Sequence, residues 1–288
     1  MPASSLSAAQ AVDFYSDLAG LPRPVKSRPE GSCREFGCAA LVQGVLVGLL
    51  AGELKGDNGR PGDALVFLNG GVHGAWRRRG IGRALIEALG EQCQDMGRRT
   101  TAVLNLDTHR PVPAPFLAKT GFDETVGSVC YRRNLGGIAP SPSSTAFETR
   151  DYRGGDAALD DAIVDIYRRA YRGRSRVPEL SIEMLWADFI DRACSYHLVF
   201  DSDLLVGHAS VRFMKRDCLV ESIQVSRSHW ATGAGDALAL SILRQAFECD
   251  AECIVGAADA TNWANRALME RHGLQPVGVI RRFCRVFT

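Results

Sequence analysis

The sequence predicts an α/β (α+β) chain built from two tandem copies of one unit, and three observations carry that prediction. The apolar run Ala64 to Leu68 leads into Val72-His73-Gly74-Ala75-Trp76-Arg77-Arg78-Arg79-Gly80-Ile81-Gly82. Ile81, Leu85, Ala88, Leu89 and Cys93 then recur at helical spacing, so the order is strand, Gly- and Arg-rich turn, helix. The same register returns at Val225-Ser226-Arg227-Ser228-His229-Trp230-Ala231-Thr232-Gly233-Ala234-Gly235. In each copy a helix and a strand ending in an acid follow, Asp107 or Asp259, and a glycine stands fourteen residues later, Gly121 or Gly273.

The elements follow in order. Ser7 to Leu18 predicts a short helix with Ser7 as cap, and Leu21 to Ser32 a Pro- and Arg-containing loop. Phe36 to Val42 and Val45 to Leu54 predict two strands joined at Gln43-Gly44, and Asp63 to Val72 a third. After the helix come a strand from Thr100 to Leu106, a helical turn from Phe116 stopped by Gly121, and a strand from Val126 to Arg132. Residues 137–145 lie in a Gly-, Pro- and Ser-rich stretch that divides domains 1–136 and 146–288 as a linker. These halves are expected to fold independently. Behind the linker, Phe147 to Arg153 predicts a strand, and Asp156 to Tyr171 and Ser181 to Asp191 predict helices. Tyr196 to Phe200, Leu204 to Met214 and Cys218 to Val225 predict strands.

Composition narrows the class. With 46% apolar and 23% charged residues the chain is globular, and a net charge of +1 gives no field to attract nucleic acid or an anionic membrane. The apolar stretch Ala39 to Gly52 is broken by Gly44 and Gly48, which predicts a hairpin and not a membrane span. Nine cysteines are scattered without CxxC or Cys/His ligand spacing, so no metal is expected. Reduced thiols and the lack of a signal-peptide pattern predict a cytoplasmic location.

The turn after the third strand aims backbone N–H groups and the positive end of a helix dipole at one point, where a phosphate or pyrophosphate fits. Gly80 and Gly82 lack a Cβ, and Arg77, Arg78, Arg79 and Arg83 add donors suited to phosphate oxygens. No Gly-Lys-Ser/Thr follows, which excludes a Walker loop, and Gly-x-Gly-x-x-Gly is absent, which excludes a Rossmann fingerprint. The whole register, Val-x-x-x-aromatic-Arg-x-x-Gly-Ile-Gly, resembles the acyl-CoA pyrophosphate loop of the GCN5-related N-acetyltransferases (GNAT).

That resemblance covers both halves and implies two tandem GNAT-like mixed-sheet domains. It implies acetyl-CoA as co-substrate, bound by Val72, Arg77, Arg78, Arg79, Gly80, Ile81, Gly82 and Arg83. The acceptor it implies is a primary amine of a small metabolite, with no nucleic acid and no membrane as partner; a homodimer is left open. Acyl transfer needs a base to take the ammonium proton. Glu221 stands where the family often places a strand carboxylate, and Leu68 is read as its counterpart; a carboxylate pointing to solvent is the alternative. His73, His109 and Asp107 are further base candidates, each histidine having a structural role as its alternative. The family's usual tyrosine acid falls on Leu117 in the first half and Met269 in the second, leaving Tyr131, Cys130, water or the substrate itself to act, or the thiolate to leave unprotonated. The first loop keeps Arg77 where the second has Trp230. A different class, a non-catalytic acyl-CoA-binding sensor or scaffold, is consistent with the missing tyrosines.

Overall fold

The computed structural model describes residues 35–57, 63–108, 112–136, 146–171, 185 and 194–288. The expected helix at Ser7 to Leu18, the linker 137–145 and most of the helix Ser181 to Asp191 lie outside the described residues.

In the first half, β1 (Glu35–Val42) and β2 (Val45–Asp57) form a hairpin. Gln43 and Gly44, at φ 53° and 81°, close it in the left-handed conformation that matches strand twist. β3 (Ala64–Val72) leads through the loop into α1 (Ile81–Asp95), and then come β4 (Thr100–Asp107), α2 (Ala114–Lys119) and β5 (Asp123–Asn134). Beyond the linker region, β6 (Glu148–Tyr152) and α3 (Ala157–Tyr171) precede a second copy. That copy consists of β7 (Ser195–Asp201), β8 (Leu204–Met214), β9 (Asp217–Val225), α4 (Ala234–Glu248), β10 (Cys253–Asp259), α5 (Trp263–Arg271) and β11 (Gln275–Phe287).

All the described strands form one mixed sheet in the order β1-β2-β3-β4-β11-β5-β10-β9-β8-β7-β6. The last strands are exchanged. β11 pairs antiparallel with β4 of the first half, from Ile280↔Asp107 to Phe287↔Thr100. β5 pairs antiparallel with β10 of the second, from Cys253↔Asn134 to Asp259↔Ser128. The two exchanged strands also pair with each other at the centre.

Packing follows the exchange. Phe283 and Phe287 of β11 are buried among Leu85, Leu89, Leu117 and Phe122 of the first half. Gly90 lets the Phe287 ring lie against α1, since a Cβ there would stand 2.9 Å from its Cε1. Tyr131 of β5 and Leu135 just past it are buried among Leu238, Ile242 and Leu268 of the second half. Each exchanged strand also carries an arginine that satisfies a carbonyl just past a helix of the other half. The Arg133 guanidinium donates to the His272 carbonyl at 2.7 Å, and the Arg285 guanidinium donates to the Thr120 carbonyl at 2.6 Å. The expectation of independently folding halves is therefore revised: each core is completed by a strand from the other copy.

Candidate acyl-CoA site

β3 and β4 run parallel and pair from Ala64↔Thr100 to Leu68↔Leu104, and there the ladder stops. Both strands continue, to Val72 and Asp107, so they splay and open a cleft between their ends. His73 terminates one arm and Asp107 the other. The His73 amide is held by the Val47 carbonyl at 3.0 Å, and a short 3-10 turn, Gly74–Trp76, follows.

The turn is braced by the Arg77 Nε, which donates to the Val72 carbonyl at 3.1 Å. Arg78 adopts φ 63°, and the Arg79 guanidinium stacks 4.8 Å from the Trp76 ring centre. Gly80 caps α1 at φ 81°, a conformation that disfavours a side chain, and a Cβ placed there would meet nothing within 4 Å. The first helical bond runs from the Ala84 amide to the Gly80 carbonyl at 3.1 Å. The amides of Ile81, Gly82 and Arg83 therefore precede any intrahelical acceptor. No acid lies in the first turn. An open cradle, free amides and arginines fit a diphosphate. Gly82 also governs packing. A Cβ there would stand 3.1 Å from Phe116 Cζ, so its absence lets α2 approach α1. Arg83 lies 3.6 Å from Glu87 in an exposed helical pair.

The second copy keeps the strand, 3-10 turn and glycine-capped helix but changes the side chains, and Trp230 is helical at ψ -30° where Arg77 is extended at ψ 161°. Trp230 replaces Arg77 as the brace, its indole N–H donating to the Val225 carbonyl at 2.9 Å. Gly233 caps α4 at φ 96°, and the Ala237 amide bonds to the Gly233 carbonyl at 3.0 Å. β9 and β10 splay beyond Val220↔Gly256.

Register corrects the matching of Glu221. Val220 stands opposite Gly256 as Leu68 stands opposite Leu104, so Leu68 corresponds to Val220. Between β8 and β9 the register shifts at Ser210/Val211, where Ser222 and Val220 are the partners and Glu221 is the extra residue of a β-bulge. The β2–β3 ladder runs without a break from Gly48↔Val72 to Leu54↔Val66, so Glu221 has no first-half counterpart. Its carboxylate accepts from Arg212 at 3.0 Å and 2.7 Å. In the sheet order β9 lies five strands from β3, roughly 24 Å at about 4.8 Å per strand. Glu221 is an exposed residue of β9 paired with Arg212 and is not brought together with His73, Asp107 and the first loop.

The acid candidates fare differently. Leu117 and Met269 are buried core residues, at 3% and 4% exposure. Tyr131 is fully buried, donating to Glu270 Oε1 at 3.0 Å and accepting from Arg266 Nε at 3.2 Å. Burial, and then the Asp107 charge, push the Cys130 thiol above its ordinary range. His109 lies outside the described residues. His208 is buried with neither ring nitrogen hydrogen-bonded among the described residues, and its pKa is pushed down to about 4 by burial. His229 approaches Asp201, and His272 bonds to Asp236. Sequence reasoning missed the bulge at Glu221, the Phe116 contact with Gly82 and the Asp236 cluster; only the last left a signal, an acid in the first turn of a helix.

The acetyltransferase (GNAT) family model matches residues 9–122 and 161–274. No curated protein matches the chain. Among solved structures, a tandem GNAT protein from the clavulanic acid biosynthesis pathway superposes with TM-score 0.70 at 17% identity, over 98% of this chain and 95% of that one. A GCN5-related N-acetyltransferase from Sphaerobacter thermophilus gives 0.65 at 16%, over 91% and 83%. A putative acetyltransferase from Pyrococcus horikoshii gives 0.62 at 17%, over 96% and 84%. At such identities these likenesses speak for the fold, and the family match in both halves speaks for the chemistry. The chain belongs to the acetyltransferase (GNAT) family and is an acetyltransferase enzyme with two GNAT-like halves.

Proposed function

We propose that this enzyme moves an acetyl group from acetyl-CoA to a primary amine of a small metabolite, with the CoA diphosphate held at the first loop. One observation carries the placement: Gly80 opens a cradle at the start of α1, flanked by Arg77, Arg78, Arg79 and Arg83 with no acid in the turn. The amides of Ile81, Gly82 and Arg83 donate to the diphosphate, and Val72 ends the strand against which the loop is braced. Bound acetyl-CoA supplies the activated thioester. Amides in the β3 arm of the cleft polarise its carbonyl as charge develops. His73 and Asp107, at the tips of the two arms, are the groups placed to take the ammonium proton. Glu221 is left paired with Arg212. The clavulanic acid relative, from a small-molecule pathway, supports a metabolite acceptor. The described cysteines are all free thiols, which supports a reducing, cytoplasmic setting, and no described helix is long and apolar enough to cross a membrane.

Gly80→Asp tests the placement by calorimetry with acetyl-CoA. Binding is expected to be lost while the far-UV spectrum is kept. Unchanged affinity in Gly80→Asp, with loss in Gly235→Asp, refutes it. CoA release across a panel of primary amines tests the acceptor: turnover on small primary amines is expected, and binding of acetyl-CoA without turnover on any of them refutes that acceptor class.

A further inference from the structure

We infer that the second loop is closed to phosphate by its own side chains, with Asp236 as the main barrier, so that the chain holds a single acyl-CoA. The inference rests on the reading that the first loop holds that CoA. From Arg77–Arg83 to Trp230–Asp236 the frame aligns residue for residue, Gly80 on Gly233 and Gly82 on Gly235. The first stretch carries four arginines and no acid, a formal +4; the second carries one acid and no Lys or Arg, a formal −1. The helix start does not explain a closure, because Gly233 keeps its left-handed φ of 96° and α4 starts as α1 does. The side chains differ, and so does the turn before the glycine, where Arg77 is extended at ψ 161° and Trp230 helical at ψ -30°.

Asp236 is the third residue of α4, in the turn whose amides lack helical partners. Its carboxylate is fixed from α5: Arg271 Nη2 donates at 3.0 Å and 3.1 Å, Arg271 Nε at 3.2 Å, and His272 Nε2 lies 2.8 Å away. Burial would raise its pKa, but the bonds from His272 and Arg271 outweigh this and hold it below the usual carboxylate range. The carboxylate, its charge balanced by Arg271, therefore occupies the place beside the dipole where an incoming diphosphate would gather its own oxygens. Trp230 adds a ring in place of a guanidinium, its N–H already spent on Val225. The carboxylate ties the first turn of α4 to the end of α5, so the retained loop serves as a latch between two helices.

Native mass spectrometry and calorimetry on the full chain, with CoA as probe, test this. Wild type is expected to bind one CoA and Gly80→Asp none. Trp230→Arg/Asp236→Asn is expected to raise the stoichiometry from one to two, the first affinity being unchanged. Two CoA on wild type would overturn the closure and leave the first-loop reading standing. One CoA retained by Gly80→Asp would overturn the first-loop reading instead. A double variant that melts like wild type and still binds one CoA would show that Asp236 and Trp230 are not the barrier. Should the double variant fail to fold, the wild-type stoichiometry alone decides between one open loop and two.

Discussion

Phe283→Ala probes the strand exchange from a position far in sequence from the first loop. Phe283 is 2% exposed and packs against first-half residues, with Leu85, Leu89, Leu117 and Phe122 in the same cluster. Truncating a buried phenylalanine to alanine removes its transfer energy and leaves a cavity, together about 3–5 kcal/mol. A chain of this size stands only about 5–15 kcal/mol above its unfolded state, so the loss is a large share. At about 2–4 °C per kcal/mol the melting temperature falls by roughly 6–20 °C. Far-UV circular dichroism measures the melt, and calorimetry with CoA below the transition measures the loop. One cooperative transition, lowered by that amount, is expected, and CoA affinity is lost over the same temperatures. A melt within about 2 °C of wild type, or a split transition whose CoA-binding part does not move, would show that β11 does not complete the first-half core.

Three further outcomes follow from the same geometry. His208 has a native pKa near 4 against about 6.5 unfolded, so below pH 6.5 the unfolded chain takes a proton that the native one refuses. Stability from this group is full above pH 6.5 and falls by about 3 kcal/mol on the way to pH 4; His208→Leu is expected to flatten that part of a urea-midpoint profile, and an unchanged slope would refute it. Limited proteolysis within 137–145 is expected to give two pieces that co-elute on gel filtration, because β5 and β11 each stay paired in the other half; separate elution without denaturant would refute the exchange. Acetyl-CoA at one hundred times its Kd is expected to raise the single melt by the equivalent of about 2.7 kcal/mol, and a shift confined to one of two transitions would argue against coupled halves.

What the sequence made legible was local. The loops repeat in register because each needs the same backbone: a strand end, a 3-10 turn and a left-handed glycine before a helix. Periodicity and turn residues located β1, β2, β7, β8 and α3 to within a few residues. β11 was not anticipated, since Gln275–Phe287 places Pro276 and Gly278 at its start and interleaves Arg281, Arg282 and Arg285 with its apolar residues. Its partners were illegible for a deeper reason. Pairing β11 with β4 or with β10 buries aromatic residues equally well by pattern, and only the assembled sheet distinguishes them. Glu221 misled similarly, because a one-residue bulge is invisible to an alignment counted from Val72 and Val225. The Asp236 cluster needed the end of α5 beside the start of α4, a contact that spacing alone does not supply.

The exchange also accounts for a second copy whose loop is shut. Were the second half only a spare binding unit, closing its phosphate loop would leave it without a role. β4 shows otherwise: its outer edge, from Thr100 to Asp107, is hydrogen-bonded along its length by β11. Without β11 those backbone groups would face water at an open edge that invites pairing with other chains. The cluster around Leu89 and Leu117 would also lose Phe283 and Phe287. Phe287 lies against α1 at Gly90, within the helix whose first turn forms the proposed CoA cradle, so second-half packing reaches the start of that helix. The dependence runs both ways, because Tyr131 of β5 is held by Glu270 and Arg266 of α5. A copy relieved of binding CoA is thus retained by the core it completes.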